Sequence, residues 1–393
     1  MDRKTVKEVL REDRQQQKKS GKRGKGMWLL AMTTCLVILV AVMYGGLTLY
    51  TMFQERTQEV SSGSVNDLDL DEHGNVVDKD GNVVDAVSSS VVYTQEELDA
   101  RVAEAVLAAQ NQGIAEVLDV IRAGLSDGAT ILETLRPLYP NHIVLASDGK
   151  YHFVPINYDL AQSQLLAENL NFLESGEIQY MEDGQVVSYK GIDVSRHQGA
   201  IDWNLVAQDG VEFAFIRVGN RGYGSSGTLK EDDFFDVNIQ GAQAAGIKVG
   251  VYFYSQAITE EELLEEVDLV LQKIRPYNIE CPVVYDVEKV VDKSIGDGRM
   301  NFLSPEERTK MTLMFCQAIE NAGYKPMIYH NTEMGALMLD LVPLEGYDKW
   351  FAAYTDTPYY PYEYKVWQYS STGQVQGVKG NVDLNISLVK LWE

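Results

Sequence analysis

Hydrophobic and polar positions divide the 393-residue chain into distinct textures. Residues 27–53 contain no charged side chain, a run longer than the roughly 20 apolar residues needed to span a bilayer. Residues 54–90 are polar and acidic, rich in Ser, Asp and Gly. Between 94 and 125, Leu98, Val102, Val106, Ala109, Val117, Val120 and Ile121 recur at helical spacing behind a Thr94/Glu97 capping-box pair. Residues 110–113 interrupt that seam. The helix therefore reads either as a dimeric coiled-coil stalk or as a helix packed on the small domain that follows. Residues 126–189 predict a small α+β spacer. It has a hairpin over 143–154 around Asp148-Gly149, a helix over 161–173, and a second hairpin over 178–187 around Asp183-Gly184.

From residue 190 the texture changes again. Strand-like apolar runs at 191–194, 213–218, 249–254, 283–285, 327–329, 349–353 and 365–368 alternate with helical segments at 237–245, 260–275 and 305–322. Such alternation predicts parallel βα units, and seven or eight strands in so short a segment suit an irregular TIM-like barrel. The predicted class is α/β.

Charge sharpens the organisation. Residues 1–26 carry a balance of +6 and the rest of the chain −30. A basic head before an uncharged span predicts an uncleaved single-pass anchor. Its N-terminus is cytoplasmic and everything beyond residue 53 extracellular, as in a Gram-positive-type envelope. The acidic body argues against nucleic acid as a partner. Within 54–93 the near-repeat 73–78 and 80–85 alternates Asp, Asn and Gly but lacks EF-hand spacing and its terminal Glu, so the segment reads as a linker with turns. Linker and stalk are candidate surfaces for protein partners. Cys35 lies in the apolar span, and Cys281 and Cys316 read as buried thiols. No Cys/His spacing suggests zinc, and no cofactor is expected.

The chemistry concentrates in residues 282–288. Asp286 and Glu288 stand two apart at the end of an apolar run, so both project to one face where a strand ends. Adjacent carboxylates repel, which raises the pKa of one and suits it to acid/base work. Asp193 and Asp383 also adjoin predicted strands. Around them fall Trp203, Tyr252, Tyr254, Tyr329, Trp350, Tyr354, Trp367 and Tyr369, with Gln368 and Asn385 as amide groups able to bond sugar substituents. Carboxylates ringed by aromatics are suited to glycoside chemistry.

Gly191-Ile192-Asp193-Val194-Ser195, His197-Gln198-Gly199, Ile201-Asp202-Trp203, Phe215-Ile216-Arg217, Gly250-Val251-Tyr252-Phe253, Asp286-Val287-Glu288, Trp367-Gln368-Tyr369 and Val382-Asp383-Leu384-Asn385 follow one another in this order. In these motifs the segment 190–392 resembles the family 25 glycoside hydrolases, lysozymes of the Chalaropsis and phage-endolysin type. The resemblance implies cleavage of the β-1,4 bond between N-acetylmuramic acid and N-acetylglucosamine. It implies Glu288 as general acid and Asp286 as its ionised partner, acting either by charge stabilisation or by orienting the substrate acetamido group. Asp193 and Asp383 would be supporting acids, and Tyr252, Tyr329, Tyr354, Trp367, Gln368 and Arg217 would form the sugar site. The sequence 350–354 departs from the Trp-Ile/Val-Ala of many relatives. A catalytically silent wall-binding scaffold on the same barrel is the alternative.

Overall fold

The computed structural model of the protein describes residues 68–70, 76–78, 95–292 and 296–393. The basic tail, the 27–53 span and most of the linker lie outside the described residues, as does the Thr94 half of the capping box. Among the described residues no helix is long and apolar enough to cross a membrane. In the linker, Leu68–Leu70 pairs antiparallel with Val76–Asp78. The helix expected at 94–125 runs unbroken over Gln95–Ser126.

Eight strands close a barrel: β1 (Tyr189–Val194), β2 (Phe213–Arg221), β3 (Lys248–Ser255), β4 (Val283–Val287), β5 (Pro326–Asn331), β6 (Asp348–Ala352), β7 (Val366–Gly373) and β8 (Val382–Ser387). β1 to β7 run parallel, while β8 is antiparallel to both neighbours. β1 closes the ring by pairing with β2 on one side and β8 on the other. Leu229–Glu231 adds an antiparallel edge to β2. Each of the seven apolar runs read from the sequence coincides with one of these strands, those at 349–353 and 365–368 overrunning theirs by one residue. The signal is strong because parallel strands are buried on both faces: all five residues of β4 are buried.

Four helices pack outside: α1 (Trp203–Gln208), α2 (Phe235–Ala244), α3 (Glu260–Ile274) and α4 (Pro305–Asn321). α3 starts where Thr259 accepts the Glu262 N–H. α4 starts with a Ser304/Glu307 capping box and Pro305 in its first turn. The core has two layers. Phe213, Phe215, Val284, Met327 and Trp350 fill the barrel, and Ile216, Val251, Tyr285, Phe315 and Phe351 lie between sheet and helices. Gly191 and Gly250 face inward where a Cβ would meet the rings of Phe213 and Phe215 at 2.2 and 2.6 Å, so only glycine fits. Cys281 and Cys316 are buried free thiols on opposite sides of the sheet.

No α-helix follows β6 among the described residues. The connection there carries Tyr359, Tyr360, Tyr362 and Tyr364, and residues of the small domain cover it. Tyr359 donates to the His142 carbonyl at 2.7 Å, Asn157 donates to the Tyr362 hydroxyl at 3.0 Å, and Gln162 bridges Tyr362. Residues 135–393 form one compact unit.

The helix expected over 161–173 is absent. Backbone bonds from Ser163 to Pro361 and from Glu363 to Ala161 hold its first residues extended along the tyrosine-rich connection. A short 3-10 turn (Ala167–Asn169) then leads into the strand Leu170–Phe172, which pairs with Ile178–Glu182. Both hairpins of this domain form where expected, with Asp148 and Asp183 at positive φ in their turns.

Candidate active site

Alternation along each strand decides which side chains enter the barrel. In β4, Val284 points inward, and so does Asp286 two residues on. Val283, Tyr285 and Val287 pack outward. Glu288 follows at the strand end. Its carbonyl accepts from Gln256, and Val290, two residues on, is held by reciprocal bonds with Asn301. Buried Arg308 donates to the carbonyls of Met300, Asn301, Leu303 and Met338, which fixes that loop.

Asp193, near the end of β1, stands in register with Asp383 at the start of β8. Because β8 runs the other way, its beginning lies on the rim where the other strands end. The four acids Asp193, Asp286, Glu288 and Asp383 are thereby brought together. Trp350 forms the floor, 4.6 Å between ring centres from both Phe215 and Tyr329 and 6.0 Å from Tyr252.

A chain of amides fixes the cluster. Asp193 Oδ2 accepts from Gln368 Nε2 at 2.8 Å and from Asn385 Nδ2 at 2.9 Å. Gln368 Oε1 accepts from the hydroxyls of Tyr329 (2.9 Å) and Tyr354 (2.8 Å), and Asn385 Oδ1 from Trp350 Nε1 at 2.8 Å. Gln368 and Asn385, read from the sequence as amides for the sugar, are thus engaged with protein groups that orient Asp193. Arg217 is paired with buried Asp232 at 2.7 Å.

Burial and mutual repulsion dominate the electrostatics. Asp193 is raised well above an ordinary aspartate, first by burial and then by Asp383, with the bonds from Asn385 and Gln368 opposing. Asp286 is also raised well above it, by burial, Glu288 and Asp193, with Arg217 opposing. Burial raises Glu288 against the Tyr329 hydroxyl, and it pushes Asp383 up to about 6. Asp286, expected as the ionised partner of Glu288, is thus a carboxylate of raised proton affinity in the free site. The cluster keeps protons at pH values where isolated carboxyls have lost them.

Trp367 is not brought to the acids. With Gln368 inward, its neighbour must face outward. Trp367 is fully buried between sheet and outer layer, with its ring N–H on the Ala353 carbonyl at 2.8 Å. Trp203 and Tyr369 pack in the same outer layer. Tyr252 and Tyr329 are almost wholly buried in the floor, whereas Tyr354 is 55% exposed at the rim. Tyr254, counted among the surrounding aromatics but not in the sugar site, and Asp232, not read from the sequence, both belong near the acids. Tyr254 lies in register with Asp286 and continues the inward alternation of Tyr252, and Asp232 holds Arg217.

A β/α barrel with buried carboxylates at the strand ends over an aromatic floor is the architecture of a glycoside hydrolase. The chain belongs to the glycosyl hydrolases of family 25, whose family model matches residues 192–378. It is 28% identical over 197 residues to the autolytic lysozyme of Clostridium acetobutylicum, covering 50% of this chain and 55% of that protein. It is 30% identical over 212 residues to the uncharacterised protein YegX of Escherichia coli K12, covering 50% and 68%. To lysozyme M1 of Streptomyces globisporus it is 28% identical over 206 residues, covering 50% and 66%. The chain thus spans about half the length of the clostridial relative.

Proposed function

We propose that the protein is a membrane-anchored muramidase that hydrolyses the β-1,4 bond between N-acetylmuramic acid and N-acetylglucosamine in peptidoglycan. The observation that carries this reading is the gathering of Asp193, Asp286, Glu288 and Asp383 on one barrel rim, all with raised proton affinity. Glu288, less buried than Asp193 and Asp286, is the general acid: it gives its proton to the glycosidic oxygen as the C1–O bond breaks. Asp286 has a buried carboxylate oxygen, Oδ1, without a protein donor. It accepts the N–H of the substrate acetamido group, whose carbonyl oxygen closes on C1. Water then opens that intermediate and returns a proton to Glu288. Asp193 and Asp383 keep the proton affinity of the central pair high.

The basic residues before the uncharged 27–53 span support a cytoplasmic N-terminus and an extracellular barrel. Tethering confines cutting to nearby wall and raises the local enzyme concentration. This suits local remodelling or the opening of a passage for a secretion or conjugation apparatus. The test is turbidity clearing of purified walls by the wild-type chain and by Glu288→Gln, with mass spectrometry of the products. We expect a loss of roughly 10²–10⁴ in rate for the variant and a reducing muramic acid end in the wild-type products. Walls that the wild type binds without clearing would favour the scaffold reading instead.

A further inference from the structure

The small domain that precedes the barrel does more than cover the tyrosine-rich connection. Its hairpin around residues 172–178 stands beside the end of β7, and between them runs a groove of about 470 Å³. Such a volume falls within the roughly 300–1,000 Å³ of small-molecule sites. Phe172 and Glu177 line it from the small domain, and Tyr354, Asp356, Ser371 and Thr372 from the barrel. Phe172 and Tyr354 expose 51% and 55% of their surface, so two aromatic side chains remain accessible to solvent.

The groove is linked to the acid cluster by Tyr354. The Tyr354 hydroxyl bonds Gln368, and Gln368 bonds Asp193. Its outer wall is fixed to the barrel. Lys190 joins Glu177 at 2.5 Å to Asp209 at 3.0 Å. On the other side of the rim, Lys289 joins Asp148 to Glu333, each at 2.7 Å. Phe172 and Glu177 lie outside the residues matched by the family model.

Resting on the muramidase reading above, we propose that this groove is an added subsite for a further, neutral N-acetylhexosamine ring of the same glycan strand. Exposed aromatic surface suits the apolar side of a pyranose. The hydroxyls of Ser371 and Thr372 and the carboxylates of Glu177 and Asp356 supply partners for its hydroxyl and amide groups. The Asp356 charge disfavours a carboxylate-bearing stem peptide in the same place.

The test uses peptide-free glycan oligosaccharides of increasing length. Binding is measured to the full chain carrying Glu288→Gln, and cleavage is measured with the otherwise wild-type chain. Phe172→Ala removes the small-domain aromatic, and Ser371→Trp obstructs the groove from an exposed barrel position. Either variant should weaken binding of long oligosaccharides roughly tenfold while leaving the shortest bound oligosaccharide unchanged. The proposal falls if both lengths weaken equally, if neither variant has an effect, or if the effect appears only with stem peptides attached. Length-dependent binding lost in the variants, with no cleavage by wild type, would remove the muramidase reading and keep the groove. Cleavage indifferent to both variants would do the reverse, and neither binding nor cleavage would overturn both.

Discussion

Asp383→Asn should make the protein more stable while making it a poorer enzyme, and the stabilisation should depend on pH. In the fold Asp383 is raised from an ordinary 3.8 to about 6, with burial the leading cause. A shift of ~2 units corresponds to ~3 kcal/mol at 1.36 kcal/mol per unit, and partial exposure reduces that to ~2 kcal/mol. The sign follows from linkage. The folded state binds this proton more tightly than the unfolded chain does. The cost of holding the charge is therefore absent below the unfolded value, grows as pH rises, and is complete above about 6. The isosteric amide avoids that cost. At neutral pH its melting temperature should exceed that of wild type by roughly 4–8 °C for a unit of this size, and the two should converge at about pH 3, below the unfolded value. Melting followed by tryptophan fluorescence across this range is the assay. A difference that is equal at both pH values, or negative at neutral pH, would refute the argument that the cluster stores unfavourable charge. Because Asp383 also raises Glu288, the alkaline limb of the activity profile should move to lower pH in the variant.

Three further outcomes are expected. Trp367→Ala removes a fully buried ring and its bond to Ala353, so urea denaturation should show a loss of about 3–5 kcal/mol, while KM of the folded fraction stays unchanged. Asn385→Ala deprives Asp193 of a donor and leaves the buried Trp350 N–H without its acceptor; about 2–3 kcal/mol of stability should be lost, checked by the same titration. Protease added to intact cells should digest residues 190–393 and spare the basic tail, and a protected barrel would reverse the proposed orientation.

The barrel strands were legible because parallel strands buried on both faces appear as unbroken apolar runs, as at Val283–Val287. The central acids were legible from two-residue spacing. The same rule held the answer for Trp367: a neighbour of an inward Gln368 must face away, whereas the aromatic count alone suggested otherwise. The lost helix at 161–173 shows where local pattern fails. Its leucines suit a helix, yet bonds to Pro361 and Glu363, some 200 residues away, hold the start of the segment extended. The roles of Gln368 and Asn385 were hidden for the same reason, since their amides are claimed by partners 175 and 192 residues distant on Asp193. Phe172 carries no sequence signal of a site, because the groove exists only once the two parts pack.

The reversed direction of β8 also sets the order in which the enzyme is completed. Asp193 belongs to the first barrel strand and meets Asp383 and Asn385 only when the closing strand inserts between β1 and β7. Contacts so far apart along the chain form late, since loop closure must precede them. A barrel in which β8 has not yet docked has Glu288 and Asp286 but lacks Asp383 and the Asn385 bond to Asp193. The acid cluster is thereby left unfinished until the whole barrel has formed.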